Sequence, residues 1–304
     1  NMVNGSGSIK NIATTTMKNE GVNFIHPYTM NRANGNHVFY PTRKGLWAST
    51  NAGDNFIKLA GGSSNIATFY AIDAGLSSNP SVYYGGSSGR LYRINNAATA
   101  GAGSGHTQLS LPSAASGRTI GGIHALSNST IYVSFTTMSN FPHVWRVTSA
   151  NGANPSWTNI SGNLPSNLPV NSIAVNPSNT NQLFAATDFG LYVSSNGGST
   201  WLKHTAIPNV AVFQVHVRAS DKKLFVFTHG RGIWECELGA AQPSTTTVQV
   251  RARRVGSNAS PRLRVRKMSN ASYAGSNGIQ QTQTINAVSS TSRPTYTVPL
   301  SGNV

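Results

Sequence analysis

Short apolar runs alternate with polar turns along most of the chain, and five stretches share one order. An apolar-aromatic run is followed by a tight turn, then by Gly or a small residue and an apolar-aromatic pair. The five are Val38-Phe39-Tyr40 leading to Gly45-Leu46-Trp47, Val82-Tyr83-Tyr84 to Leu91-Tyr92-Arg93, and Ile131-Tyr132-Val133 to Val144-Trp145-Arg146. Leu183-Phe184-Ala185 then leads to Gly190-Leu191-Tyr192, and Leu224-Phe225-Val226 to Gly232-Ile233-Trp234. Positions 46, 91, 144, 191 and 233 are separated by 45, 53, 47 and 42 residues, close to the roughly 40–50 residues of a four-stranded propeller blade. An inner strand precedes each pair: Phe24 to Tyr28, Phe69 to Ile72, Ile120 to Leu126, Ile173 to Val175 and Val212 to Val217. Each such sheet has two apolar faces that only a neighbouring sheet can cover. The pattern predicts an all-β chain, a β-propeller of four-stranded blades with about five repeats visible over residues 1–238.

Two repeats run on into Ser49-Thr50-Asn51-Ala52-Gly53-Asp54-Asn55-Phe56 and Ser194-Ser195-Asn196-Gly197-Gly198-Ser199-Thr200-Trp201, and a looser third spans Ser149-Ala150-Asn151-Gly152 to Trp157. These resemble the Asp-box (BNR) hairpin, Ser-x-Asp-x-Gly-x-Thr-Trp, of sialidase, sortilin and xyloglucanase-like propellers and of many secreted bacterial propellers. The closing Thr228-His229-Gly230-Arg231-Gly232-Ile233-Trp234-Glu235 resembles the last blade of those secreted proteins. The resemblance covers roughly residues 20 to 238. It implies that Ser49, Asn51, Gly53, Phe56, Ser194, Asn196, Gly198 and Trp201 build structural turns, with Asn standing where Asp is usual. In such a turn the Ser and Asn side chains bond turn backbone and Gly takes the positive φ. Five repeats fall short of the seven or more blades of these relatives, so the expectation is either a small propeller or part of a larger one whose N-terminal blades are missing.

Charged residues are 10% of the chain, against about 25% in ordinary domains. The net charge of +16 comes from only 7 acids set against 23 bases. No run of about 20 apolar residues marks a membrane span, and the first residues do not read as a signal peptide. A single cysteine, Cys236, excludes an intrachain disulfide. The histidines lack metal-ligand spacing, so neither a metal nor another cofactor is expected.

A glycosidase needs two carboxylates flanking the scissile bond. Each acid here has a structural reading, and catalytic residues are therefore expected to be none; Asp73, ending an inner strand, and Asp188, at a blade turn, are the fallback candidates. The five Trp are expected to be taken up by packing, which leaves Tyr28, Tyr84, Phe141 and Phe189 as aromatic platforms for a sugar ring.

Residues 239–244 read as a linker, and 245–304 as a basic β-sandwich module that looks cut short. It holds Arg251, Arg253, Arg254, Arg262, Arg264, Arg266, Lys267 and Arg293 and no acid. If Val248–Arg253 pairs with Arg262–Arg266, one face becomes an arginine stripe of Arg251, Arg253, Arg262, Arg264 and Arg266 for a polyanion or an acidic partner surface. The module is faintly similar to β-sandwich carbohydrate-binding modules that use calcium, but it has no carboxylate to hold one.

These readings point to a non-catalytic extracellular propeller for glycan binding, adhesion or assembly of a larger surface structure. Its partners would be polysaccharide or cell-surface glycan, itself, or other extracellular proteins. Neither a nucleic-acid motif nor a basic helix is present. Two alternatives stand beside it: a fragment of a xyloglucanase- or sialidase-like glycoside hydrolase, and a self-assembling extracellular filament or matrix subunit.

Overall fold

The computed structural model describes residues 14–238 and four later strands, Thr246–Arg251, Arg262–Lys267, Ile279–Thr284 and Thr295–Leu300. The chain divides into two compact units, Asn1–Leu238 and Gly239–Val304.

The first unit opens with a short helix, α1 (Thr15–Asn19), capped by the Thr14 hydroxyl, which accepts from the Met17 N–H at 3.2 Å. Five antiparallel sheets follow in chain order. The first holds β1 (Thr29–Asn31), β2 (Asn34–Thr42), β3 (Gly45–Ser49) and β4 (Ile57–Gly61). The second holds β5 (Phe69–Ala74), β6 (Val82–Gly86), β7 (Leu91–Ile94) and β8 (Thr107–Gln108), and the third β9 (Ile120–Ala125), β10 (Ile131–Phe135), β11 (Val144–Thr148) and β12 (Ser156–Asn159). The fourth holds β13 (Val170–Asn176), β14 (Asn179–Thr187), β15 (Gly190–Ser194) and β16 (Leu202–Lys203). The fifth has three strands, β17 (Val212–Arg218), β18 (Lys223–Thr228) and β19 (Ile233–Glu237). This is the all-β architecture of propeller blades.

Alternation along each strand feeds two cores at once. On β6, Tyr84 joins Phe39, Leu46 and Phe69 between the first and second sheets, while its neighbour Tyr83 joins Ile131, Val133 and Trp145 between the second and third. On β14, Ala185 packs with Tyr132, Ile173 and Trp201, and Phe184 packs with Val212, Leu224 and Val226. The middle strands β6, β10 and β14 therefore read as unbroken apolar runs, because both of their faces are covered along the runs.

The inner strands β1, β5, β9, β13 and β17 run side by side in the same direction. Their trailing ends are joined where the Ala125 N–H donates to Asp73 (2.8 Å) and Arg32 to the Ala74 carbonyl (2.9 Å). Their leading ends are joined where Asn171 donates to the Val212 carbonyl (3.1 Å) and the Val215 N–H to the Ser172 hydroxyl (3.4 Å). β5, β9, β13 and β17 each carry a register shift at the same place, next to the first residue. The extra residue is Tyr70, Gly121, Asn171 or Phe213. The shift keeps the later residues in common register, so Thr29, Asp73, His124, Ala174 and His216 occupy one rung, opposite Phe39, Tyr83, Tyr132, Phe184 and Phe225.

The two Ser-x-Asn-x-Gly turns have the same bonding. Ser49 Oγ accepts from the Gly53 N–H (2.9 Å) and donates to Asn51 Oδ1 (2.8 Å), which also accepts from the Asn55 N–H (2.9 Å). Ser194 does the same with Gly198 (2.9 Å) and Asn196 (3.0 Å), and Asn196 Oδ1 accepts from the Thr200 N–H (2.9 Å). Asn supplies the acceptor oxygen this turn needs, so the hairpin forms without Asp. Phe56 packs edge-on to Tyr40, and buried Trp201 donates to the Ile160 carbonyl at 2.9 Å. The looser third segment is built differently: Ser149 itself has positive φ, and its carbonyl, not its hydroxyl, accepts from Gly152 (2.9 Å).

Four tryptophans are in the packing, with Trp201 and Trp145 buried and Trp47 and Trp157 half-buried. Trp234 departs from the expectation. It lies 38% exposed on β19, beside Ile233 at 65%, because among the described residues no strand pairs with the outer edge of β19. The outward face of β17 likewise leaves Phe213 open, and Tyr28 and Met30 are open at the first sheet. Of the four aromatic platforms, Tyr28 and Phe189 are exposed, whereas Tyr84 and Phe141 are buried in cores.

In the second unit, β20 (Thr246–Arg251) pairs with β23 (Thr295–Leu300), and β21 (Arg262–Lys267) pairs with β22 (Ile279–Thr284), both antiparallel. The expected pairing of the two arginine-bearing strands is thus replaced by two separate ladders. Arg251 lies opposite Thr295, apart from the Arg262, Arg264 and Arg266 series. Arg253 and the linker 239–244 fall outside the described residues.

Gly198 has φ of +89°, and an added Cβ would stand 2.5 Å from the Ile160 carbonyl oxygen. Gly198→Ala is expected to destabilise the first unit by about 1–3 kcal/mol. Urea unfolding followed by tryptophan fluorescence measures it, and an unchanged midpoint would contradict this account of the turn.

Candidate functional site

Both ends of the inner strands carry polar groups, and they do different things. At the trailing end, the Arg32 guanidinium reaches from the first sheet to the Ala74 carbonyl at 2.9 Å and to the Ala125 carbonyl. It lies 3.6 Å from the Asp73 carboxylate. Asp73 Oδ1 accepts from the Ala74 N–H (2.8 Å) and the Thr29 hydroxyl (3.5 Å), and Oδ2 from the Ala125 N–H (2.8 Å). Its lone pairs are occupied by three sheets. His124 Nδ1 lies 4.0 Å from Oδ2. Burial drives the His124 pKa down to about 4; Asp73 opposes the shift, while Arg32 and His216 add to it. His216 is lowered as well, by burial first and then by Arg32. The trailing end thus holds a cluster of Arg32, Asp73 and His124 that ties sheets one, two and three together.

At the leading end, Asp188 Oδ1 accepts from Asn171 Nδ2 at 2.9 Å. Asn171, the extra residue of β13, also accepts from the Thr136 hydroxyl (2.8 Å) and so links sheets three, four and five. Asp73 and Asp188 therefore sit at opposite ends of the inner strands. Three to four strand residues separate their levels, about 10–13 Å at strand rise, before the sideways offset of two blades is added. A glycosidase pair requires roughly 5–10 Å.

The leading end also holds a pocket of about 370 Å³ between the β10–β11 loop and the β12–β13 loop. Its lining includes Asn140, Phe141, His143, Asn159, Ser161 and Ser166, and no charged carboxylate, Lys or Arg. His143, fully buried, fixes the two loops together. Its Nδ1 lies 3.0 Å from the Phe135 carbonyl, and its Nε2 lies 3.1 Å from the Ser139 carbonyl and 3.0 Å from that of Ser166. The Phe141 N–H donates to the Ser166 carbonyl (3.0 Å), and the Ser161 hydroxyl is held by both backbone groups of Val144 (3.0 and 3.2 Å). Phe141, at the pocket's edge, packs edge-on to buried Phe135, and the Arg118 guanidinium lies 5.0 Å above its ring. Exposed Tyr70, Phe189 and Phe213 belong to the same end of the strands.

Asp73 and Asp188 were visible in the sequence as isolated acids. Arg32 was not singled out, Phe141 alone of the pocket loops was, and only the strand register shows that His124 and His216 share a rung with Asp73. Among the described residues, no group of three or more His, Cys, Asp or Glu is placed to hold a metal ion. No helix there is long and apolar enough to cross a membrane.

No family model matches the chain, and no curated protein does. Solved structures do resemble it. The GH74 enzyme of Niastella koreensis is 21% identical over 74% of this chain and 39% of its own, with a TM-score of 0.51. YCF48 from Cyanidioschyzon merolae is 14% identical over 66% of this chain and 64% of its own, at 0.50. The GH74 xyloglucanase from Xanthomonas campestris is 18% identical over 68% and 36%, at 0.49. The chain spans less than two thirds of each of these proteins. At such identities the likeness is one of fold, the β-propeller.

The His124 pKa lies below its unfolded value, so on acidification the unfolded chain takes up the proton first. Stability is therefore expected to fall as pH drops from about 6.5 to about 4, by on the order of 3 kcal/mol from this group. Denaturant midpoints at pH 7 and 4.5 should show the loss in the natural chain and a smaller one in His124→Gln. Equal slopes in both would refute the assignment.

Proposed function

We propose that the chain is a non-catalytic, extracellular glycan-binding propeller of the Asp-box type. The observation that supports this reading is the leading-end pocket, which offers amide and hydroxyl groups beside Phe141 at its edge and contains no carboxylate. Its volume falls in the range of about 300–1,000 Å³ used by small-molecule sites. Asn140, Asn159 and Ser166 can exchange hydrogen bonds with hydroxyls, and the absence of charge in the lining favours a neutral, polyhydroxylated ligand such as a sugar unit. Rigidity helps here, since His143 and the backbone bonds fix both walls before a ligand arrives.

Glycoside hydrolysis is the second reading, and the likeness to GH74 folds is what favours it. It would need a pair of carboxylates around a sugar, whereas Asp73 is committed to three sheets and Asp188 to Asn171.

Titration with neutral oligosaccharides is expected to show binding that Asn140→Trp, which fills the pocket, weakens at least tenfold without changing the melting temperature. Reducing-sugar release is expected to stay at background. Turnover abolished by Asp73→Ala or Asp188→Ala would replace the first reading with the second.

A further inference from the structure

We infer that the second unit carries a separate site for an anionic polysaccharide, built on strand β21. Arg262, Arg264 and Arg266 occupy alternate positions of that strand and so share one face of the β21–β22 pair. Opposite them in register stand Thr284, Thr282 and Gln280. The other face carries Leu263 and Val265 with Gln283 and Gln281. Successive arginine positions are about 6.7 Å apart along the strand.

Three cationic positions on one face favour a polyanion. In the first unit some bases pair with acids: Lys58 with Glu20 (2.7 Å), Arg218 with Asp221 (2.5 Å) and Lys223 with Glu235 (2.5 Å). Residues 239–304 include eight Lys or Arg and no Asp or Glu, so no carboxylate among them competes with an anionic ligand for this row. A guanidinium accepts carboxylate or sulfate in a planar, two-point fashion, and neighbouring Thr and Gln positions suit the hydroxyls between acid groups on a sugar chain. Single-stranded nucleic acid would also want aromatic positions on which bases stack, and neither β21 nor β22 has one. The site thus takes a uronate or sulfated glycan, and it is independent of the neutral pocket on the first unit.

The test uses the full chain with polygalacturonate, heparin and a thymidine 30-mer as probes. At low salt, binding to at least one polysaccharide should exceed binding to the oligonucleotide, and it should fall more than tenfold between 50 and 300 mM salt, in keeping with screening. Arg262→Gln/Arg264→Gln/Arg266→Gln should lose at least tenfold in affinity while binding neutral oligosaccharide as the natural chain does. The corresponding triple Lys variant keeps the charge but not the planar fork, and should weaken binding at least threefold. If the Gln triple does not fold, the Lys triple decides. Undiminished binding in the variants, or tighter binding of the oligonucleotide than of either polysaccharide, overturns the inference.

Discussion

A four-stranded sheet that is apolar on both faces is stable only between two others, and this requirement governs the first unit. It explains why Tyr83 and Tyr84, adjacent in sequence, lie in different cores and yet are both fully buried. Burial of that kind removes about 150–250 Å² per aromatic from water. The strands earn their apolar runs from it, and the polar residues are pushed to the two ends of the strands.

Those two ends are not equivalent. The trailing end is closed by bonds that satisfy Asp73 and Arg32 within the protein, leaving little for a ligand to engage. The leading end, where the inner strands begin on a register shift, is where the chain leaves side chains open: Tyr70 and Phe213 at the shift itself, Phe189 at a blade turn, and the pocket walls between blades. A bulge re-aims one residue without disturbing the rungs that follow. Repeating it in four sheets leaves the packing register of the later residues the same in each, while the shifted residue at the leading end is free to differ.

Much of this was legible in the residues. The apolar-aromatic pairs located every blade, and the Ser-x-Asn-x-Gly turns formed as local chemistry required, since Asn Oδ1 accepts the same N–H bonds a carboxylate would. Trp234 was misjudged because its sequence context matches that of the packed tryptophans; only the absence of a strand beyond β19 exposes it. The arginine strands of the second unit alternate as expected, but their pairing partners lie tens of residues away, and a local pattern does not choose between distant ladders of similar composition. His124 and His216 looked scattered because their alignment depends on bulges, which shift register by one residue and leave no mark in hydrophobic periodicity. The pocket arises where two loops distant in sequence, 136–143 and 160–169, meet, and neither loop alone shows it.

Among the described residues, the fifth sheet has three strands, no strand pairs with the outer edge of β19, and one face is covered by the fourth sheet. Its local stability rests on a single interface, where the inner sheets have two. Unfolding of the first unit therefore has a natural starting point. Backbone amides of β18 and β19 should open ahead of those in β6 or β10, and each sheet that detaches puts the next one in the same exposed position, so the structure unzips from that flank rather than melting everywhere at once.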